Sequence, residues 1–541
     1  MVYLIALAVC ILPIQTWTEE LPKYPGGINF QNLIMVALLV GWVVDCKRKG
    51  LPLVPKNPLN RWIALYLAWS FLALFYGAVF TPQVGLPLSL ADERFIHWKD
   101  EITGMVIFFV AQATLRDERK VKTLLLCMAA MIPYVIGVYY YQYTTEILAR
   151  HQRFAVDEVM GDGPEGAKTG VPHARYVQIV GPDGVPLRIV VDREHKLRVV
   201  NEDGKKLEAA AKSGPGVIRL PNWRCGTGAF IVHFYQDRRD SGTQAKSFSW
   251  ELKSITGVFI QLGSNEMASF YANALLVFIG LIVAWKKALK WRLLLVANSL
   301  LLAWGTVFSL SRGAWLAVAA AVAYLGARRN RALMIGFVLF LVAAPALMPS
   351  SVTSRGGGGM DDSAAHRLDF WTWAAFAGTV RYPLGVGYQC YIPKHREETG
   401  IRLDTHNFFF RTLAEMGLIG LVLVLGMFWK GFRTSWLLVD RAQTPFGRGL
   451  GMGVAMMWIG SFVANMFGDR FAYISLNCYI WGFTALAAAM LHISEAEATR
   501  REVEAEVAAA RAAAGSDDFG EPAASQAPRV GDGGRLVPPR G

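Results

Sequence analysis

Apolar runs of about 16–20 residues, separated by short polar segments, recur along most of the chain. A helix of that length crosses a hydrocarbon core. The pattern predicts about twelve such helices, at 1–16, 28–44, 61–80, 103–115, 122–141, 266–285, 291–309, 313–327, 332–348, 407–428, 449–467 and 472–491. The runs at 103–115 and 313–327 are the short ones. No basic segment opens the first run and no small-x-small site closes it, so it reads as a spanning helix rather than a cleavable signal. The predicted fold class is an all-α polytopic membrane protein.

The period changes in two places. Between 142 and 255, Tyr176–Val180, Leu187–Val191 and Leu197–Val200 alternate or run β-branched. Turn chemistry at Gly181-Pro182-Asp183-Gly184 and Asn201-Glu202-Asp203-Gly204 separates them. A small β-rich insert is expected there, as a cap or partner-binding module, since no catalytic motif stands out in it. After 494 the chain becomes Ala/Glu/Arg-rich, as in a solvated helix, and then Gly/Pro/Ser/Asp-rich, as in a disordered tail. The expected divisions are 1–141 (helices), 142–255 (insert), 256–348 (helices), 349–406 (loop), 407–493 (helices) and 494–541 (tail).

Composition agrees with the pattern: 53% of residues are hydrophobic and mean hydropathy is +0.31. Charge adds orientation. Lys47-Arg48-Lys49, Arg116 to Lys122, Lys286 to Lys290, Arg328 to Arg331 and Arg433 to Arg448 all fall in alternate loops. The positive-inside rule puts those loops and both termini in the cytoplasm, leaving 81–102, 142–255 and 349–406 outside. The net charge of +13 is thus mainly a topology signal. It does not point to nucleic acid, because the basic residues are spread over many short loops. The six cysteines show no metal spacing. Only Cys225 and Cys390 fall in the exterior regions, where one disulfide or two separate thiols are both open.

Polar chemistry collects on the outer side. His406-Asn407 opens the apolar run Phe408–Phe428, after a polar loop long enough to be functional. Ser311-Arg312-Gly313 lies in a very short outer loop, where arginine runs against the charge bias. It is either an arginine snorkelling to lipid phosphate or an anion clamp, since guanidinium matches phosphate oxygens. His366-Arg367 precedes Trp371 and Trp373, with Arg367 and Trp371 on one helix face. Tyr382-Pro383-Leu384-Gly385-Val386-Gly387-Tyr388 is a turn with two glycines. Lys394, His395, Arg396 and Arg402 read as solvated charge. Glu415 reads as the one carboxylate well inside a span, with Arg411 one turn earlier as its ion-pair partner. Asp469-Arg470 reads as a similar pair. No Asp-x-Asp pair on the outer loops demands a divalent cation, and no cofactor is expected. Because ionisable groups gather at one surface rather than at the midplanes, interfacial catalysis is favoured over a transporter. A non-catalytic scaffold is the remaining class.

In order and spacing, several blocks resemble the O-antigen ligase/polymerase family of bacterial membrane proteins. They are Thr256-Gly257-Val258-Phe259 with Asn265-Glu266-Met267-Ala268; Ser311-Arg312-Gly313-Ala314; Arg367 with Trp371, ahead of Pro383 to Gly387; and His406-Asn407 with Leu413 to Gly420. The likeness covers roughly 255–490. It implies a GT-C-like glycosyltransferase of the bacterial inner membrane, with its active site facing the periplasm. Its donor would be an undecaprenyl-diphosphate-linked glycan and its acceptor a hydroxyl on a glycan, lipid or protein. A repeat-unit polymerase is the alternative. On that resemblance Arg312 and Arg367 hold the diphosphate and His406 is the catalytic histidine at the acceptor. Asn407, Trp371, Glu415, Arg411 and Arg470 are further candidate substrate-binding residues. The insert is larger than the family usually carries, and Lys253-Ser254-Ile255-Thr256 stands where an arginine is often expected.

Overall fold

The structure, a computed structural model, describes residues 1–10, 30–89, 92–142, 156–157, 176–180, 186–191, 197–200, 217–225, 228–236, 245–251, 264–285, 289–309, 311–329, 335, 362–400 and 405–513. The expected span at 332–348 lies outside the described residues apart from Ile335, as do Arg402 and the end of the tail. Two units make up the chain: Met1–Tyr134 with Asn265–Gly541, and Val135–Ser264.

The first unit is helical. Its helices are α1 (Val2–Cys10), α2 (Phe30–Arg48), α3 (Pro58–Phe80), α4 (Glu93–Thr114), α5 (Glu118–Gln142), α6 (Ser264–Ala284), α7 (Leu289–Phe308), α8 (Arg312–Arg329), α9 (Asp362–Phe376), α10 (Tyr391–Thr399), α11 (Phe408–Arg441), α12 (Pro445–Asn465) and α13 (Ile474–Ala513). Among the described residues, seven segments are long and apolar enough to cross a membrane: α2, α3, 118–138 of α5, 265–284 of α6, α11, α12 and 474–510 of α13.

Caps set several boundaries. Asn57 and Thr444 accept hydrogen bonds from Leu59 N and Gly447 N, each with proline at the first helical position. Helix α4 begins well before the expected start at 103. Asp92 caps it by accepting from Arg94 N at 2.9 Å, and Glu101 shares a buried face with Met105 and Phe108.

Small residues let α6 and α12 touch. A Cβ on Gly280 would overlap the backbone of Gly453, which lies four residues after Gly449. Leu276, Ala321, Val322, Met452 and Met456 fill the seam of α6, α8 and α12. Contacts also gather the basic loops at one end. Thr444 donates to Glu118 at 2.9 Å, Thr434 reaches Asn57, and Lys122 sits 5.0 Å from the Phe446 ring.

Antiparallel sheets form the second unit. One is β1–β2–β3–β4 (Val156–Asp157, Tyr176–Val180, Pro186–Val191, Leu197–Val200), with Gln178 opposite Arg188. The other is β5–β6–β7 (Val217–Cys225, Gly228–Gln236, Ala245–Glu251).

Candidate active site

The site is built around the start of α11, at the end opposite the basic loops. Asn407 is its N-cap, accepting from Phe409 N at 3.0 Å and Phe410 N at 3.2 Å. The same side chain donates to Met466 O at 3.0 Å, tying α11 to the turn between α12 and α13. Thr405 O accepts from Trp371 Nε1 at 2.8 Å, and the Trp371 ring stacks on Phe410 at 5.4 Å. Thr405 and Asn407 are therefore both buried and held, and the chain turns between them. His406 makes that turn, exposed, with φ +44°. The left-handed region costs a non-glycine residue about 1–2 kcal/mol, a strain that gathers at functional sites.

A neighbour of each arginine packs on one of these segments. Arg312, exposed, is the first residue of α8, and a Cβ on the next residue, Gly313, would lie 3.0 Å from Phe467 Cβ. Phe467 follows Met466, the acceptor of the Asn407 bond. Arg367 lies one turn before Trp371 on α9, and its buried Nε has no hydrogen-bond partner among the described residues. Arg312, Arg367 and His406 thus stand on three separate elements, each within a helical turn of a residue that contacts 405–410 or 466–467. A guanidinium with an unused buried donor is ready to take an anion.

Beneath this region α11 is broken. Gly417 has φ +64° and ψ −164°, freeing backbone carbonyls of the preceding turn. Residues 382–390 supply their partners: Val386 N donates to Ala414 O at 2.8 Å and Gly387 N to Glu415 O at 2.9 Å, while Tyr388 N fastens the same loop to Ala73 O of α3 at 3.1 Å. Irregular backbone at such a depth persists only where protein satisfies it. A side chain on Gly387 (φ +104°) would overlap Gly77 Cα, so this loop needs its glycine.

The break leads to a buried ionic cluster. Arg411 faces Glu415 at 3.3 Å, Asp469 at 3.7 Å and Glu101 at 4.0 Å. Tyr388 donates to Glu101 Oε2 at 2.6 Å, and Tyr66 donates to its other oxygen. Burial pushes the Tyr388 hydroxyl well above its ordinary range, so it stays a donor.

Residues 297–425 match the family model described as O-antigen ligase. The chain carries an O-antigen ligase-like domain. Over this stretch the resemblance read from the motifs is supported, and several of the described helices are long and apolar enough to cross a membrane. No curated protein matches the sequence. Arg312, Arg367, His406, Arg411 and Glu415 all fall inside the matched ligase stretch, whereas Glu101 and Arg470 fall outside it.

Several sequence expectations change. Glu415 is joined by a second buried carboxylate, Glu101 on α4. The Lys99-Asp100-Glu101 run reads as loop, which hid it; its place one turn before Met105 was the available signal. Tyr66 and Tyr388 carried no signal at all. Asp469 and Arg470 do not form the expected pair: Asp469 faces Arg411, and Arg470 pairs with Glu266 at the start of α6. Lys394 and His395 are buried rather than solvated. Lys394 pairs with Glu397 at 3.0 Å, and His395 packs 4.6 Å from the Phe370 ring and 4.9 Å from the Trp373 ring. Arg396 is exposed as expected. Cys390 is a free, buried thiol, while the Cys225 side chain lies outside the described residues.

Proposed function

We propose that this protein transfers a glycan from an undecaprenyl-diphosphate carrier to an acceptor hydroxyl, on the periplasmic side of the bacterial inner membrane. The observation that supports this reading is that the elements carrying Arg312, Arg367 and His406 pack on 405–410 and 466–467, at the end of α11 away from the basic loops. The acceptor oxygen attacks the anomeric carbon as the bond from that carbon to the diphosphate oxygen breaks. The bond's electron pair leaves on the carrier diphosphate. His406 takes the hydroxyl proton, a task suited to imidazole near neutral pH. Arg312 and Arg367 stabilise the charge that develops on the leaving group, so the step calls for no metal ion. Attack opposite the leaving group inverts the anomeric centre.

In this reading Trp371 and Asn407 shape the acceptor side, and Arg411 with Glu415 holds the floor. Arg470 acts through its Glu266 partner, framing the turn at 466–467. Helices α1, α4, α7 and α8 cross the membrane as well, and the segment expected at 332–348 brings the spans to about twelve in a GT-C-like arrangement. The 349–406 region is the catalytic loop, and the insert at 142–255 is a cap or partner-binding module.

Glycan analysis of a deletion strain tests the reading. Accumulation of full-length carrier-linked polymer is the expected result. Loss of polymer length would indicate repeat-unit polymerisation by the same residues. A normal envelope glycan profile would refute both.

A further inference from the structure

A second polar feature lies on the same outer end. An open cleft of about 390 Å³ is lined by Val84, Asp92, Glu93, Arg94, His97, Gln389 and Pro393, a size in the range of small-ligand sites. Its back wall is rigid. Arg94 is buried and held by four hydrogen bonds: it donates to Asp92 Oδ1 at 3.0 Å, Asp92 Oδ2 at 2.8 Å, Gly85 O at 3.0 Å and Val84 O at 3.4 Å. Those hydrogen bonds hold the Asp92 carboxyl below its usual range, so the two charges cancel. Glu93 and His97, on the first turns of α4, and Gln389 are left to meet a ligand.

Gln389 supplies an independent observation. Its φ is +59°, one of only two positive values at non-glycine residues among the described residues; the other is His406. Neighbouring bonds hold it there: Tyr388 is anchored to Glu101 and Ala73 O, and Cys390 N donates to Gly387 O at 3.0 Å. A backbone held in this region, next to a cleft, marks a candidate site. The cleft also shares a wall with the candidate active site. Val84, Trp371 and Phe410 pack against the same cluster of Phe370, Ala374, Val386 and Cys390.

We propose that this cleft is a glycan subsite for a neutral sugar on the acceptor, with Glu93, His97 and Gln389 bonding its hydroxyls and Val84 and Pro393 facing its C–H edges. The proposal rests on the transferase reading for the word acceptor. The chemistry favours a sugar over a phosphate. Side by side the lining offers amide, imidazole and carboxylate, which pair with hydroxyls that both donate and accept. With Asp92 and Arg94 balanced, Glu93 leaves the cleft negative, which disfavours the donor diphosphate and separates this site from the arginine-lined one.

The test uses full-length protein in nanodiscs. Saturation-transfer NMR is recorded with methyl glucoside, methyl galactoside, methyl mannoside and glucuronate. At least one neutral glycoside should show transfer, and glucuronate should show less. Gln389→Gly keeps the backbone conformation, and His97→Ala changes an exposed side chain; each should weaken the glycoside signal about tenfold. Arg312→Ala should leave it unchanged. Absence of signal from all three neutral glycosides, or equal signal in both cleft variants, overturns the subsite. A parallel transfer assay with carrier-linked donor separates the two readings. Saturation without any transfer defeats the transferase reading and keeps the cleft. Transfer with an acceptor KM unchanged in both variants defeats the cleft and keeps the transferase.

Discussion

Gly387→Ala probes the wedge that braces the candidate site from below. Two costs add. Glycine at φ +104° occupies a conformation that an L-residue resists by about 1–2 kcal/mol. The new methyl would also overlap Gly77 Cα, lying 2.9 Å from Gly77 N and 3.3 Å from Ala73 O, and neither backbone can rotate away. Overpacking of this kind costs about 1–3 kcal/mol. If the loop withdraws instead, the bonds from Val386 N, Gly387 N and Tyr388 N are lost, at about 1 kcal/mol each. Either route gives about 2–5 kcal/mol. Gly400→Ala is the internal control, because Gly400 has φ +74° but nothing within 4 Å of a new Cβ. It should cost about 1 kcal/mol, from conformation alone. Thermal unfolding in nanodiscs measures both, and transfer activity should fall further in Gly387→Ala. A Gly387→Ala midpoint equal to or above that of Gly400→Ala would refute the wedge.

Arg312→Lys keeps charge but loses the planar fork, so turnover should drop about tenfold or more, with Arg312→Ala lower still; wild-type turnover in a carrier-linked donor assay would remove Arg312 from the clamp. Arg411→Met strands two buried carboxylates and a half-buried one and should destabilise the fold by about 3–5 kcal/mol, seen as a loss of monodisperse protein after extraction. Glu101→Gln keeps its tyrosine partners and should cost less; the reverse order would contradict the cluster. Burial pushes the Cys390 thiol up to about 12, above its ordinary value of about 8.5. Because the folded value is the higher one, its stabilising share is whole below about pH 8.5 and is lost as pH rises towards 12. Alkylation of Cys390 in folded protein should therefore stay slow at pH 9, and labelling as fast as that of an exposed thiol would count against the burial.

The helices were legible because their apolar runs far exceed any strand or loop alternative. Phe408–Phe428 and Pro445–Asn465 could hardly be anything else. Boundaries failed where charge sits inside a helix. Lys99-Asp100-Glu101 looks like loop, yet Tyr66, Tyr388 and Arg411 satisfy Glu101 from distant positions. Lys394 and His395 failed for a related reason: Phe370, Trp373 and Tyr382 reach them only through tertiary packing. The candidate site was legible as residue types, because an outer-loop arginine and a histidine at a helix start stand out against local bias. The packing of the elements that carry them was not, since it depends on Asn407 bonding Met466 O and Trp371 bonding Thr405 O. Nor did periodicity reveal the break at Gly417, whose partners lie in the loop at 382–390.

The central claim is that His406 serves the acceptor side of a transfer reaction. Asparagine tolerates the left-handed backbone that His406 adopts, so His406→Asn removes the imidazole with little cost to the fold. The decisive measurement is glycan transfer by His406→Asn in reconstituted membranes, alongside binding of the carrier-linked donor. The account predicts transfer reduced at least about a hundredfold with donor binding near wild type. Near-wild-type transfer would contradict it and reduce His406 to a turn at the mouth of α11.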